Sequence, residues 1–294
     1  MYSFPLRPEK IMHTDGLFQY QSALRYNSDE LAQILCHCFE NYIVRFVIDG
    51  ATFARRFGAE DLSLNDSIIV THQQQPVALA LISRRGLHSR VSALSIRPEM
   101  RGKGLGKALM QRIVADARER GDRQLSLEVI EGNDPAIALY HQAGLRIVRT
   151  LTGHQAGELA AAEIVPLQEI DPLFVSHRLT AEGATSLPWL IAAESLFKLP
   201  GKPYAFTLGQ HQAYAVVQVG ADKCFLRMIY VPPQHRSQGH ARAMLTALQA
   251  QFSPLPLVAN VYVPEVAAPF FDRLGWQQDP LRQFEMTMDL ETPQ

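Results

Sequence analysis

Hydrophobic positions along the chain switch between a period near two and a period near 3.6, which separates strands from amphipathic helices. Residues 1–16 show neither period and read as an irregular lead-in with two prolines. Leu17 to Leu24 fits a strand. Asn27 supplies an N-cap with Glu30 three residues on, ahead of Leu31, Ile34, Leu35 and Phe39 at helical spacing. Tyr42 to Asp66 mixes aromatics with charges and carries no clear period. Ser67–Thr71 and Val77–Ser83 flank a polar turn at Gln73–Pro76 and read as a hairpin, followed by a strand over Arg90–Ile96. From Gly104 the pattern becomes helical, with Leu105, Ala108, Leu109, Ile113 and Ala117 on one face. Gln124–Ile130 is a strand. Asn133-Asp-Pro135 opens a short helix, with Asn133 or Asp134 as its cap, that Gly144 closes, and Leu145–Thr150 begins another strand.

The same order then returns. Pro203–Leu208 and Ala213–Val219 suggest a hairpin and Phe225–Val231 a strand. Gly239–Phe252 reads as a helix with Ala241, Met244, Leu245 and Leu248 inward. Leu257–Val263 is a strand, Glu265–Leu274 a helix ended by Gly275, and Phe284–Leu290 a last strand. Two loops mark the repeat: Arg101-Gly-Lys-Gly-Leu-Gly106 and Arg236-Ser-Gln-Gly-His-Ala241 share Arg-x-x-Gly-x-(Gly/Ala), with Pro98 over Pro233. The offset is constant at 135 residues (236 − 101 and 239 − 104), the length of a small domain and too long for a solenoid unit. The join lies between Thr152 and Pro172, where Ala160–Ile170 fits either the end of the first sheet or the start of the second.

Composition narrows the function classes. The chain has 294 residues, 47% apolar and 19% charged, which suits two globular domains with sizeable cores. A net charge of −1 argues against nucleic acid as a partner, since no basic excess or interleaved aromatics are present. The N-terminal stretch lacks the basic and apolar regions of a signal peptide, and no apolar run approaches the ~20 residues that span a bilayer, so a cytoplasmic protein without a membrane partner is expected. The three cysteines, Cys36, Cys38 and Cys224, read as buried reduced thiols, and no metal site is expected.

The first loop carries a chemical meaning. Glycines free the backbone amides at a helix N-terminus, whose dipole favours phosphate oxygens, while Arg101, Lys103 and Lys107 add positive charge. A Walker A loop fails, because Ala108 follows Gly106-Lys107 and Arg101 stands where its first glycine belongs. A dinucleotide fingerprint fails too, because Gly102, Gly104 and Gly106 are wrongly spaced and too far from the strand. Arg-x-x-Gly-x-Gly after a strand ending in Ile-x-Pro resembles instead the GNAT superfamily of acyl-CoA-dependent N-acetyltransferases. The resemblance implies an α/β (α+β) fold of two tandem GNAT-like domains, each a mixed, mostly antiparallel central sheet flanked by helices. These are expected over residues 17–156 (catalytic) and 157–294 (degenerate), after the lead-in of residues 1–16.

The family likeness extends to a second element, Leu127-Glu-Val through Asn133, Ala136, Tyr140 and Gly144. The resemblance implies acetyl-CoA as acyl donor, with residues Arg101, Gly102, Lys103, Gly104, Leu105, Gly106 and Lys107 cradling its pyrophosphate. It also implies that the backbone of Leu94, Ser95 and Ile96 bonds the pantetheine amides, with Asn133 beside that arm. Tyr140 is then the acid that protonates the departing thiolate and Glu128 the base that deprotonates the amine, in a direct attack within a ternary complex. The acceptor is expected to be a small-molecule or peptide amine, bound near Tyr42–Asp66, where Arg45, Arg55 and Arg56 could meet an anionic group. Arg84, Arg85 and Arg90 either face solvent or help with phosphates. In the second copy Phe271 stands for Tyr140 and Asn260 for Glu128, so that copy is expected to be structural. The alternative reading of the whole chain is a non-catalytic CoA-binding or interaction module.

Overall fold

The computed structural model describes residues 18–41, 47–157, 164–183 and 186–291. The expected lead-in of residues 1–16 and Arg45 lie outside them, as do parts of the join. The chain divides into two compact units, one running up to Leu125 and resuming at Asp289, the other comprising Ser126–Met288.

In the first unit β1 (Gln19–Ser22) leads to α1 (Ser28–Cys38), α2 (Gly50–Ala59), β2 (Ile68–His72), β3 (Gln75–Arg85), β4 (His88–Ile96) and α3 (Leu105–Arg120). The four strands are antiparallel neighbours in chain order. The capping box at α1 forms as read: Asn27 accepts from the amides of Asp29 and Glu30, and Glu30 accepts from the amide of Asn27. α2 fills the stretch that carried no clear period. Asp49 caps it through the amide of Thr52 at 2.7 Å, and Phe53 and Phe57, one turn apart, are buried. These two rings join Leu31, Leu35, Ile69, Leu79 and Leu81 in one core. The hairpin turn is tighter than the sequence suggests. Gln73 and Gln74 both take left-handed torsions (φ 49° and 65°), as a two-residue turn of the primed type needs. Pro76 enters β3, where a register shift tolerates its missing donor.

β5 (Gln124–Ile130) carries the chain into the second unit, which continues through α4 (Asp134–Gln142), β6 (Arg146–Gln155), β7 (Leu167–Ile170), α5 (Pro172–Ala181), α6 (Ala193–Leu196), β8 (Pro203–Leu208), β9 (Ala213–Val219), β10 (Cys224–Tyr230), α7 (His240–Phe252), β11 (Leu257–Pro264), α8 (Ala268–Asp272) and β12 (Gln277–Asp289). Its strand order is β5-β12-β6-β11-β10-β9-β8-β7. Because β7 pairs with β8, the end of the Ala160–Ile170 stretch begins the later sheet. β8 to β10 alternate cleanly between two cores. Phe206, Ala215, Val217 and Leu226 face Met244, Leu248, Phe271 and Trp276. Ala205, Tyr214, Val216 and Met228 face Val175, Leu179 and Leu196 on α5 and α6. The helix expected over Glu265–Leu274 is a 3₁₀ turn at Glu265–Ala267 followed by the short α8.

β6 has a neighbour that local pattern does not announce. It lies antiparallel between β11 and β12, and β12 in turn separates it from β5. By their order after the two repeated loops, β11 is the counterpart of β5, and β12 the counterpart of β6. Each copy's last strand therefore borders the other copy's penultimate strand.

Candidate functional site

The first strand–loop–helix corner is built within the first unit. β4 ends at Ile96, a 3₁₀ turn spans Pro98–Met100, and α3 starts at Leu105. Gly102 and Gly104 hold φ of 74° and 79°, left-handed torsions that a side chain strains. A Cβ placed on either would meet no protein atom within 4 Å, so the backbone there is open to approach. No side chain caps α3, and the amides of its first turn have no intrahelical acceptor. Lys103 and Lys107 are exposed beside them.

Arg101 behaves differently from the two lysines with which the sequence groups it. Its Nε donates to the Ile96 carbonyl at 2.9 Å, and its Nη2 to the carbonyls of Cys38 (3.2 Å) and Glu40 (3.1 Å). The guanidinium thus pins the loop to the end of β4 and to the C-terminal end of α1. Ser95 reaches the same Cys38 carbonyl through its hydroxyl at 2.5 Å. Leu94, Ser95 and Ile96 pair with Ala80, Leu79 and Ala78 of β3. Burial, more than the opposing charges of Arg97 and Arg101, sets the Cys38 thiol and pushes it up to about 12.

Glu128, Asn133 and Tyr140 belong to the second unit. Glu128 is half-buried in β5 between the buried Leu127 and Val129. Tyr140 is the buried residue of α4, 8% exposed. Asn133, rather than Asp134, takes the N-cap position, with Pro135 in the first turn. No side-chain hydrogen bond caps the helix, which corrects the expected capping role. The Asn133 carbonyl accepts from the amides of Ala136 and Ile137, both at 3.0 Å.

Of the arginines considered for the acceptor or for phosphates, those beside the hairpin are engaged internally. Arg84 pairs with Asp122 at 3.0 Å, Arg85 with Asp61 at 2.7 Å and Arg90 with Glu60 at 2.7 Å. Arg56 contacts Glu60 at 3.4 Å and Arg55 donates to Thr52 at 3.2 Å. Among the described residues no group of three or more His, Cys, Asp or Glu side chains is placed to hold a metal, and no helix is long and apolar enough to cross a membrane.

The second unit holds its own copy of the corner. A 3₁₀ turn at Pro233–His235 precedes the loop, and α7 starts uncapped at His240. Gly239 has φ 84°, close to Gly104, and Ser237 has φ 60°, close to Gly102. Arg236 donates through Nε to the Val231 carbonyl at 3.1 Å, as Arg101 does to Ile96. A cleft of about 640 Å³ opens beside this loop, walled by residues from β10, α7, β11 and α8. Tyr230 lines it, in the position that corresponds to Ser95. Its hydroxyl donates to Glu182 at 2.5 Å, and burial together with that carboxylate pushes it up to about 12. Sequence reading missed this cleft because Leu, Met and Phe on its walls have the types expected of core.

Comparison with known proteins bears on the first of these corners. Residues 29–145 match the acetyltransferase (GNAT) family. A Bacillus subtilis (strain 168) protein described as "Putative [ribosomal protein bS18]-alanine N-acetyltransferase" is 38% identical over 58 residues, which are 20% of this chain and 38% of that protein. Streptothricin acetyltransferase of Streptomyces lavendulae is 33% identical over 87 residues, 29% of this chain and 46% of that protein. The chain thus spans less than half the length of either relative. In fold, a solved tandem GNAT protein from the clavulanic acid biosynthesis pathway covers 94% of this chain and 100% of its own, with TM-score 0.64 and 16% identity. The chain therefore has the fold of a tandem GNAT protein, and its residues 29–145 match the acetyltransferase (GNAT) family.

Proposed function

We propose that the protein is an N-acetyltransferase that moves an acetyl group from acetyl-CoA to a primary amine on a small molecule or peptide. The observation that carries this reading is the loop from Arg101 to Lys107. It combines two left-handed glycines with open space above them, an uncapped helix N-terminus and two exposed lysines, a donor set that fits a pyrophosphate. When bound, acetyl-CoA supplies an activated acyl thioester. In this reading Gly102, Gly104, Leu105, Gly106 and Lys107 offer backbone amides to the phosphates, and Lys103 and Lys107 offer charge. Arg101 keeps the loop in shape. Leu94, Ser95 and Ile96 bind the pantetheine arm through their backbone, and Asn133 lies beside it.

The chemistry then needs two proton movements. An amine with a pKa of about 8 to 10 is mostly protonated at neutral pH and must lose a proton before it attacks. Glu128, half-buried in its strand, takes that proton directly or through water. The departing thiolate leaves faster when a positioned hydroxyl protonates it, the role given to Tyr140. The two curated relatives are named for a ribosomal-protein alanine and for streptothricin, so both peptide and small-molecule amines belong in an acceptor screen.

The test is transfer from acetyl-CoA to an amine panel, followed as free thiol, with Tyr140→Phe beside the parent chain. The variant is expected to lose about 10²-fold or more in kcat with acetyl-CoA KM little changed. Unchanged turnover removes Tyr140 from the mechanism. No thiol release from any amine leaves the non-catalytic module as the better reading.

A further inference from the structure

One row of the second unit's sheet breaks a rule of strand pairing. β12 lies against β5, and the Glu131 amide donates to the Arg282 carbonyl at 3.0 Å. Toward the other end of the ladder the Leu290 amide donates to the Arg123 carbonyl at 2.8 Å. The two bonds agree on one antiparallel register, since they lie equally far apart on both strands (131 − 123 and 290 − 282). Three residues in from Glu131 and Arg282, that register sets Glu128 directly opposite Glu285. Residues opposite one another point to the same face, with Cβ atoms about 5 Å apart. On its other side Glu285 pairs in register with Arg149 of β6 and forms an ion pair with it. A half-buried carboxylate, a carboxylate only 6% exposed and a guanidinium thus stand in one row across three strands.

Two facing carboxylates cost a ladder stability, and a local violation of this kind marks a place shaped by something other than folding. Arg149 offsets one of the two charges, and its Nη1 donates to the Ser186 carbonyl at 2.7 Å, so Glu285 is fixed from the side away from Glu128. The second copy has neither carboxylate: Asn260 stands for Glu128, and the irregular stretch 260–262 faces Gly153. We infer that Glu285, carried by the last strand of the second copy, is a positioning residue for Glu128. Held by Arg149, its charge keeps the Glu128 carboxylate turned away from β12 and in one place for the amine. This rests on the reading of Glu128 as the base. Glu285 itself makes and breaks no bond; the proton passes from the amine to Glu128.

Steady-state kinetics of the full chain test the inference, with acetyl-CoA and the primary amine that the parent chain acetylates fastest. Glu128→Gln is expected to lower kcat about 10²-fold. Glu285→Gln, which keeps the shape and still accepts from Arg149, is expected to lower kcat about tenfold with the KM of acetyl-CoA unchanged. Glu285→Asp, which keeps the charge, is expected to recover most of that loss. In the Glu128→Gln background Glu285→Gln is expected to cost nothing further, because no base is left to place. A thermal melt of each variant checks the fold. Should Glu285→Gln melt early, Arg149→Lys, which keeps the charge but not the tie to Ser186, repeats the cycle. Parent-like turnover in Glu285→Gln, with Glu128→Gln impaired, overturns the inference and leaves the proposed function standing. So does a loss in Glu285→Gln that is as large in the Glu128→Gln background, the mark of a merely structural part. Glu128→Gln as active as the parent chain overturns the base assignment and this inference together. A parent chain that releases no thiol overturns the proposed function and this inference with it.

Discussion

Asp122 shows how a single side chain settles a corner of the first unit. It is 3% exposed and accepts from Ser89 and from Arg120 at 2.7 Å, with Arg84 at 3.0 Å. Burial raises its carboxyl, but the hydrogen bonds from Ser89 and Arg120 and the charges of Arg120 and Arg84 outweigh it, so the net shift is downward. A depressed acid stabilises the fold above its unfolded value and loses that stabilisation as pH falls through the folded value. Asp122→Ala is expected to destabilise by about 2 kcal/mol, since Ser89 loses its acceptor and Arg84 and Arg120 lose their shorter carboxylate contact while keeping Asp66 at 3.4 and 3.6 Å; urea denaturation checks it. His154 works in the opposite chemical sense. It is 2% exposed, its Nε2 lies 3.0 Å from the Thr152 hydroxyl, and its Nδ1 has no hydrogen-bond partner. Burial holds its pKa below the ordinary imidazole value, against the opposing charge of Asp272. The unfolded chain therefore takes up that proton first, and stability falls as pH drops below ~6.5. Denaturation midpoints between pH 8 and 5 should fall less steeply in His154→Phe than in the parent chain. An equal slope would remove His154 as the cause.

At the scale of elements, legibility followed the locality of the cause. Pro203–Leu208, Ala213–Val219 and Gln124–Ile130 appear as strands with the bounds their patterning suggests, because alternation is visible within six or seven residues. α2 was missed although Asp49, Phe53 and Phe57 carry a cap and a buried stripe, since the interspersed charges mask a face only one turn wide. α5 starts with Asp171 as its cap and Pro172 in its first turn. The first loop was legible because left-handed torsions demand glycines that stand out in a sequence. The second keeps Arg236 and Gly239 but has Ala241 in place of one glycine, and the left-handed torsions at Ser237 and Gly239 persist. Ser237→Gly should relieve up to about 1 kcal/mol of strain, while a β-branched Ser237→Val should cost stability. If both leave the denaturation midpoint unchanged, the torsion carries no strain.

At the scale of the whole chain, strand pairing was the part that no local pattern discloses, because a strand's period says which face is buried and nothing about its neighbour. The position of β6 between β11 and β12 is the case in point. Arg149 on β6 pairs with the buried Glu285 on β12, and Thr152 on β6 donates to the Val263 carbonyl of β11 at 3.3 Å. A fragment ending at residue 157 keeps β6 and loses both flanking strands, so its exposed edges are expected to drive it into the insoluble fraction. Co-expression of residues 158–294 as a second fragment should return it to solution. A soluble, cooperatively melting fragment on its own would contradict the pairing.

That exchange of strands bears on inheritance as much as on folding. After a duplication, one of the two copies is normally free to be deleted. Here a nonsense codon anywhere before Gln277 strips β6 of β12, the strand that stands between it and β5. The two copies can diverge in chemistry, but neither gene segment can be discarded without the other.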